Sequence, residues 1–145
     1  MGVTLTPVKG FQVRLYGGLN ESGEEGKDDI VNFAAFAGYK NERFTLGVEY
    51  NQMWNASYST GADQNGYSIF TSVKLSDAAD LYARFDDLYS KDDWNISKDK
   101  SAAILGAQFK LGKYVKIAPN LRITMPKANG ADNGYYAYVN CYFGL

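Results

Sequence analysis

The sequence predicts an all-β protein, an antiparallel up-and-down transmembrane β-barrel of about eight strands, and three observations predict it. Apolar residues fall on every second position in one segment after another, the segments have the length that crosses a bilayer, and the connections alternate short and long. The clearest segment runs from Arg43 to Trp54. Phe44, Leu46, Val48, Tyr50 and Trp54 share one face, and Arg43, Thr45, Gly47, Glu49 and Asn51 share the other. Strands of soluble sheets run about five or six residues, whereas a tilted strand crossing a bilayer needs about 9 to 11.

Taken in order, Val3 to Thr6 reads as the tail of a strand and Pro7 to Gly10 as a turn, since Pro fixes φ and Gly frees it. This half-hairpin implies a strand before it. Phe11, Val13 and Leu15 then alternate with Gln12, Arg14 and Tyr16, followed by an acidic, aperiodic loop from Asn20 to Asp29. Val31, Phe33, Ala35, Ala37 and Tyr39 form the next apolar face, joined by the short turn Lys40 to Glu42 to the Arg43–Trp54 segment as a hairpin. A second long loop is expected from Asn55 to Gly66, after which Tyr67, Ile69, Thr71, Val73 and Leu75 alternate with Ser68, Phe70, Ser72 and Lys74. A short connection leads to Leu81, Ala83 and Phe85, and a third long loop is expected from Tyr89 to Lys100. Ala103, Leu105, Ala107, Phe109 and Leu111 turn at Gly112 into Val115, Ile117, Pro119, Leu121 and Ile123, where Pro119 predicts a bulge or a frayed pair. The fourth long loop, Pro126 to Gly134, precedes a closing strand with Tyr135, Ala137, Val139, Cys141, Phe143 and Leu145 on one face.

The chain of 145 residues forms a single domain and carries a formal charge of -1, so no basic excess or motif marks nucleic acid as a partner. Twelve Tyr, eight Phe and fifteen Gly against three Pro suit an aromatic sheet with close backbone approaches. The absence of His removes the commonest general base and metal ligand, so no catalytic, metal or cofactor site is expected. A single Cys excludes an internal disulfide, and no secretory signal peptide opens the sequence.

The alternation assigns Phe44, Leu46, Val48, Tyr50, Trp54, Ile69, Val73, Leu105, Phe109 and Phe143 to a lipid-facing surface. The opposite, lumen-facing surface carries Arg14, Arg43, Lys74, Arg84, Lys110, Lys116 and Arg122 against Glu49 and Asp86. Two arrangements suit this basic face. In a plugged core, Arg14, Arg84 and Arg122 pair with Glu49 and Asp86 while the lysines and Arg43 reach the rim; in a wide, wet lumen the cations attract anions.

The segments Leu81-Tyr-Ala-Arg-Phe-Asp-Asp-Leu, Ile104-Leu-Gly-Ala-Gln-Phe-Lys-Leu, Val115-Lys-Ile-Ala-Pro-Asn-Leu-Arg and Tyr138-Val-Asn-Cys-Tyr-Phe-Gly-Leu resemble those of porin-type outer-membrane β-barrels of Gram-negative bacteria, above all the carboxyl-terminal part of larger porins. The resemblance covers nearly the whole chain at the level of pattern. It implies a bacterial outer-membrane location, lipid and small solutes as partners, and a closing segment read by the barrel-assembly machinery. Phe143 keeps the phase of that segment, although Leu145 stands where an aromatic residue is usual. The function so implied is passive diffusion of small solutes, to which the basic wall of a wet lumen would add a preference for anions. The alternatives are a closed eight-stranded barrel with a structural or loop-mediated recognition role, and a soluble ligand-carrying β-barrel in which Phe44, Leu46 and Val48 point inward.

Overall fold

The computed structural model describes residues 1–144; Leu145, assigned above to the apolar face of the last strand, lies outside the described residues. Nine strands form one sheet: β1 (Gly2–Leu5), β2 (Phe11–Asn20), β3 (Ile30–Lys40), β4 (Phe44–Trp54), β5 (Gln64–Lys74), β6 (Ala79–Ser90), β7 (Lys100–Leu111), β8 (Val115–Pro126) and β9 (Gly134–Phe143). Each strand pairs antiparallel with its neighbours in sequence, giving an up-and-down meander.

Two expectations are corrected. The strand count is nine rather than about eight, because Gly2–Leu5 pairs with Tyr16–Val13 as a strand in its own right. The sheet is not closed: among the described residues β1 and β9 do not pair, and both edges are open. An even number of reversals separates β1 from β9. The two edge strands run the same way and cannot meet in the antiparallel pairing that joins all the others.

The short connections 6–10, 41–43, 75–78 and 112–114 lie at one end of the sheet and the long ones, 21–29, 55–63, 91–99 and 127–133, at the other. Local chemistry sets the tight turns. The Asn41 side chain accepts hydrogen bonds from the amides of Arg43 and Phe44, both at 2.8 Å, which reverses the chain between β3 and β4. The long loops are shorter than the sequence suggests. Asn65-Gly66 has turn chemistry, yet both residues pair in the ladder with Gln52 and Asn51, because two flanking strands offer the backbone more hydrogen bonds than a turn does. Pro119 makes no bulge. The β7–β8 ladder lapses between Gly106↔Asn120 and Phe109↔Ile117 and resumes in the same register, which is the frayed pair a missing donor produces.

Alternation along nine strands divides the side chains into two faces. One row of the polar face runs Arg14, Phe36, Glu49, Ser68, Asp86, Ala102 and Thr124 across neighbouring strands. The corresponding row of the apolar face runs Val13, Ala37, Val48, Ile69, Phe85, Ala103 and Ile123. Nothing covers the apolar face. Among the described residues the only buried apolar side chains are Ala56 and Ala62, both in the loop 55–63.

The polar face is packed instead by aromatic rings laid over glycines. Phe70 covers Gly47 and stacks on Phe36 with centroids 6.2 Å apart, and Tyr82 covers Gly106. A Cβ at Gly106 would meet Tyr82 Cζ at 2.5 Å and Asn120 Cβ at 2.8 Å, closer than real contacts allow. The missing side chains let the rings lie flat and the sheet bend toward this face. Gly106→Ala is therefore expected to lower stability by about 1–3 kcal/mol, the usual cost of overpacking, and Tyr82→Ala in the same chain should remove part of that cost. Denaturant midpoints of the two single variants and the double variant measure this; equal costs in both backgrounds would contradict the contact.

Candidate functional site

The polar face is concave. Thr45 of β4 and Tyr142 of β9 line one cavity of about 590 Å³, although five strand spacings, about 24 Å on a flat sheet, separate their strands. The cavity opens at the end of the short turns. Lys40, Arg43, Lys74 and Lys116 reach it from β3, the turn 41–43, β5 and β8, against the acids Glu42 and Asp80.

The register brings Arg14, Glu49, Lys74, Arg84, Asp86, Lys110, Lys116 and Arg122 onto this same face. Their pairing is sparse. Arg84 Nε donates to both oxygens of Asp86 at 2.9 and 2.8 Å, and Ser68, itself buried, donates to Asp86 Oδ1 at 2.5 Å. The other pairs of the plugged arrangement do not form. Arg14 Nε donates to Thr4 Oγ1 at 3.2 Å, Arg122 Nε donates to Asn120 Oδ1 at 2.8 Å, and Glu49 accepts from Asn51 Nδ2 at 2.8 Å. Arg122 also lies 4.6 Å from the Tyr138 ring centre and Lys116 Nζ 5.6 Å from that of Tyr142, so both cations rest on aromatic faces of β9.

At the short-turn end, Lys74 Nζ and Lys110 Nζ converge on the turn 75–78, the first on Asp77 Oδ1 at 2.5 Å and the second on the Asp77 carbonyl at 3.1 Å. The hydrogen bond from Lys74, and then its charge, hold the Asp77 carboxyl below the ordinary carboxylate range. Its folded pKa is thus lower than its unfolded one, so this clasp is present above the ordinary carboxylate pKa and is lost as pH falls through the lowered value.

The ten residues assigned to lipid share the opposite face, and nine of them are exposed. Leu46, Val48, Ile69 and Leu105 are 42, 44, 47 and 62 % exposed. Tyr50 is half-buried, its hydroxyl bonded to Gln52 and Asn65 at 2.8 and 2.7 Å and its ring 5.6 Å from Tyr67. Aromatic pairs bound the aliphatic band at both ends: Tyr39 against Phe44 near the short turns, and Tyr67 against Tyr89, with their hydroxyls 3.0 Å apart, near the long loops. From Phe44 to Trp54 the strand rises roughly 33 Å, or about 23 Å across a layer at a 45° tilt, close to the apolar height of about 25 Å that outer-membrane barrels present.

The four long loops form a laced rim that the sequence did not reveal. Thr60 Oγ1 donates to Asp28 Oδ2 at 2.6 Å and Asn55 Nδ2 to the Asp29 carbonyl at 3.2 Å, joining the first two loops. Trp94 Nε1 and the Lys91 amide donate to the Asp63 carbonyl at 2.8 and 2.9 Å, joining the second and third. The Lys127 amide donates to the Asp99 carbonyl at 2.9 Å, and Lys127 Nζ reaches Asp87 Oδ2 at 2.9 Å. Asp99 is the most enclosed polar group, 1 % exposed, and accepts from both the Ser90 amide and hydroxyl at 2.7 Å. Only its place after a charged loop and before an alternating segment marks it in the sequence, a signal shared by many solvated acids. The backbone of Asn55, Ser57, Tyr58, Asp92 and Asp93 takes positive φ within these loops.

No protein-family model, curated protein or solved structure matches the chain.

Asp99→Ala leaves the Ser90 amide and hydroxyl without their acceptor, an expected loss of about 1–3 kcal/mol. It should also hasten tryptic cleavage at Lys98, read by mass spectrometry of timed digests. Unchanged cleavage would show that the rim is held by other contacts.

Proposed function

We propose that this chain forms the wall of a porin-like outer-membrane β-barrel that passes small, preferentially anionic solutes by passive diffusion. One observation carries the proposal: a continuous apolar face, exposed and bounded by aromatic pairs, backs directly onto a concave face whose cations largely lack acidic partners. Water does not tolerate an apolar band of this size on a soluble monomer, whereas lipid covers it at no cost. The basic inner wall then raises the local concentration of anions. The location is the bacterial outer membrane, the partners lipid and the assembly machinery.

Loop-mediated recognition is the second reading, favoured by the lacing of all four long loops into one rim. A soluble ligand carrier needs Phe44, Leu46 and Val48 in an enclosed interior, whereas they are 39, 42 and 44 % exposed.

Single-channel recording in planar bilayers tests the first reading. The natural protein should conduct, with a reversal potential in a salt gradient that favours anions. Arg43→Glu with Lys116→Glu should move that potential toward cation preference by several-fold in permeability ratio. Absence of conductance defeats the pore reading, and a conducting variant with unaltered selectivity defeats the role of these cations.

A further inference from the structure

We infer that the end of the sheet carrying the short turns is a docking surface for anionic phospholipids, whose phosphate headgroups meet its cations while the neighbouring apolar residues enter the acyl boundary. The inference rests on the membrane-wall reading and names the lipid class and the end of the wall that meets it.

Charge is sorted along the strands. Within two residues of the short connections lie seven cations and three acids, and within two residues of the long connections ten acids and five cations. The six charged residues between the two ends, three of each sign, cancel. Like charges gathered at one end repel one another unless a counter-charge meets them. Little of the basic end is neutralised from within. Among the described residues Lys74–Asp77 is its one ion pair, and the Lys110 ammonium is engaged by the Asp77 carbonyl. Lys9, Lys40, Arg43 and Lys113 are exposed, and among the described residues they have no acidic partner.

The neighbours of these cations identify the counter-charge as lipid. Every short connection sets a cation beside an exposed apolar residue: Lys9 beside Val8, Arg43 beside Phe44, Lys74 beside Leu75 and Lys113 beside Tyr114. Val8, Leu75 and Tyr114 are 63, 61 and 54 % exposed, and the Lys113 ammonium lies 5.0 Å from the Tyr114 ring centre. Such a pair suits the boundary where acyl chains give way to headgroups, the cation reaching phosphate and its neighbour staying in hydrocarbon. The long loops lack it: among the described residues Trp94 is their only exposed large apolar side chain, and it stands between Asp93 and Asn95. The turn tips are also continuous with the apolar face, because Phe44 forms with Tyr39 the aromatic pair that bounds that face. An acidic soluble partner accounts for the charge but not for this continuity. Each cation near an anionic bilayer surface strengthens attachment roughly fivefold, so the basic end selects anionic headgroups over zwitterionic ones.

Electron paramagnetic resonance tests this on the natural protein reconstituted in phosphatidylcholine bilayers, with spin-labelled phosphatidylglycerol or phosphatidylcholine as the probe. The protein is expected to immobilise phosphatidylglycerol about fivefold or more in preference, and the preference to fall as salt is raised to about 1 M, where charges act only within about 3 Å. Lys9→Glu with Lys113→Glu leaves five charges of each sign at the short-turn end and should abolish the preference. Lys27→Glu with Lys98→Glu changes the net charge equally at the long loops and should leave the preference intact. Equal immobilisation of both lipids by the natural protein overturns the inference, and so does a preference that survives the Lys9 and Lys113 changes or falls equally in both variants. Binding of polyglutamate without any preference for phosphatidylglycerol means that this end takes an acidic protein, and also overturns it. The membrane-wall reading fails separately, if the protein is monodisperse without detergent and does not enter bilayers. Flotation with phosphatidylglycerol vesicles, lost in the Lys9 and Lys113 variant, would then still support the docking surface.

Discussion

The whole structure depends on one imbalance: among the described residues almost no large apolar side chain is fully buried. In an ordinary domain the apolar faces of sheets turn toward each other and exclude water. Here one sheet presents its aliphatic side chains on its convex face, and among the described residues the two buried apolar ones sit in a loop. At about 25 cal/mol for each Å² that remains wet, leaving this face in water is costly.

What the chain does hold together is the polar side. Gly47 and Gly106 leave room for Phe70 and Tyr82 to lie against the backbone of the next strand, and the sheet bends around them until β4 and β9 line a common cavity. The same bend spreads the outer face, where bulky Leu105 and Leu121 stand well exposed. Curvature thus links the two faces. A flat sheet would leave the basic residues on an open surface, whereas the curved one gathers Lys40, Arg43, Lys74 and Lys116 around one cavity.

Much of the site was legible in the sequence for a simple reason: a period of two fixes the face of every residue in a strand once the register is set. The assignment of Arg14, Glu49, Arg84 and Asp86 to one side needed nothing more. Pairing across strands was not legible, because register depends on turn lengths and on competition among ladders. Arg84 meets Asp86 two residues along its own strand, while Arg14 and Glu49, on separate strands, find Thr4 and Asn51 instead. The rim is a stronger case. Asp99, Asp63 and Asp28 look like solvated loop acids until folding brings loops together that lie far apart in the chain.

The sequence by itself determined that the protein is all-β, that its strands alternate apolar and polar sides, and that long and short connections fall at opposite ends, since each follows from local periodicity and turn chemistry. The tertiary structure decided the rest: nine strands rather than about eight, open edges, the concave hand of the polar face, and the laced loops. Those features depend on which strand ends meet in space and in which direction they run. That is a property of the whole sheet and of no single segment within it.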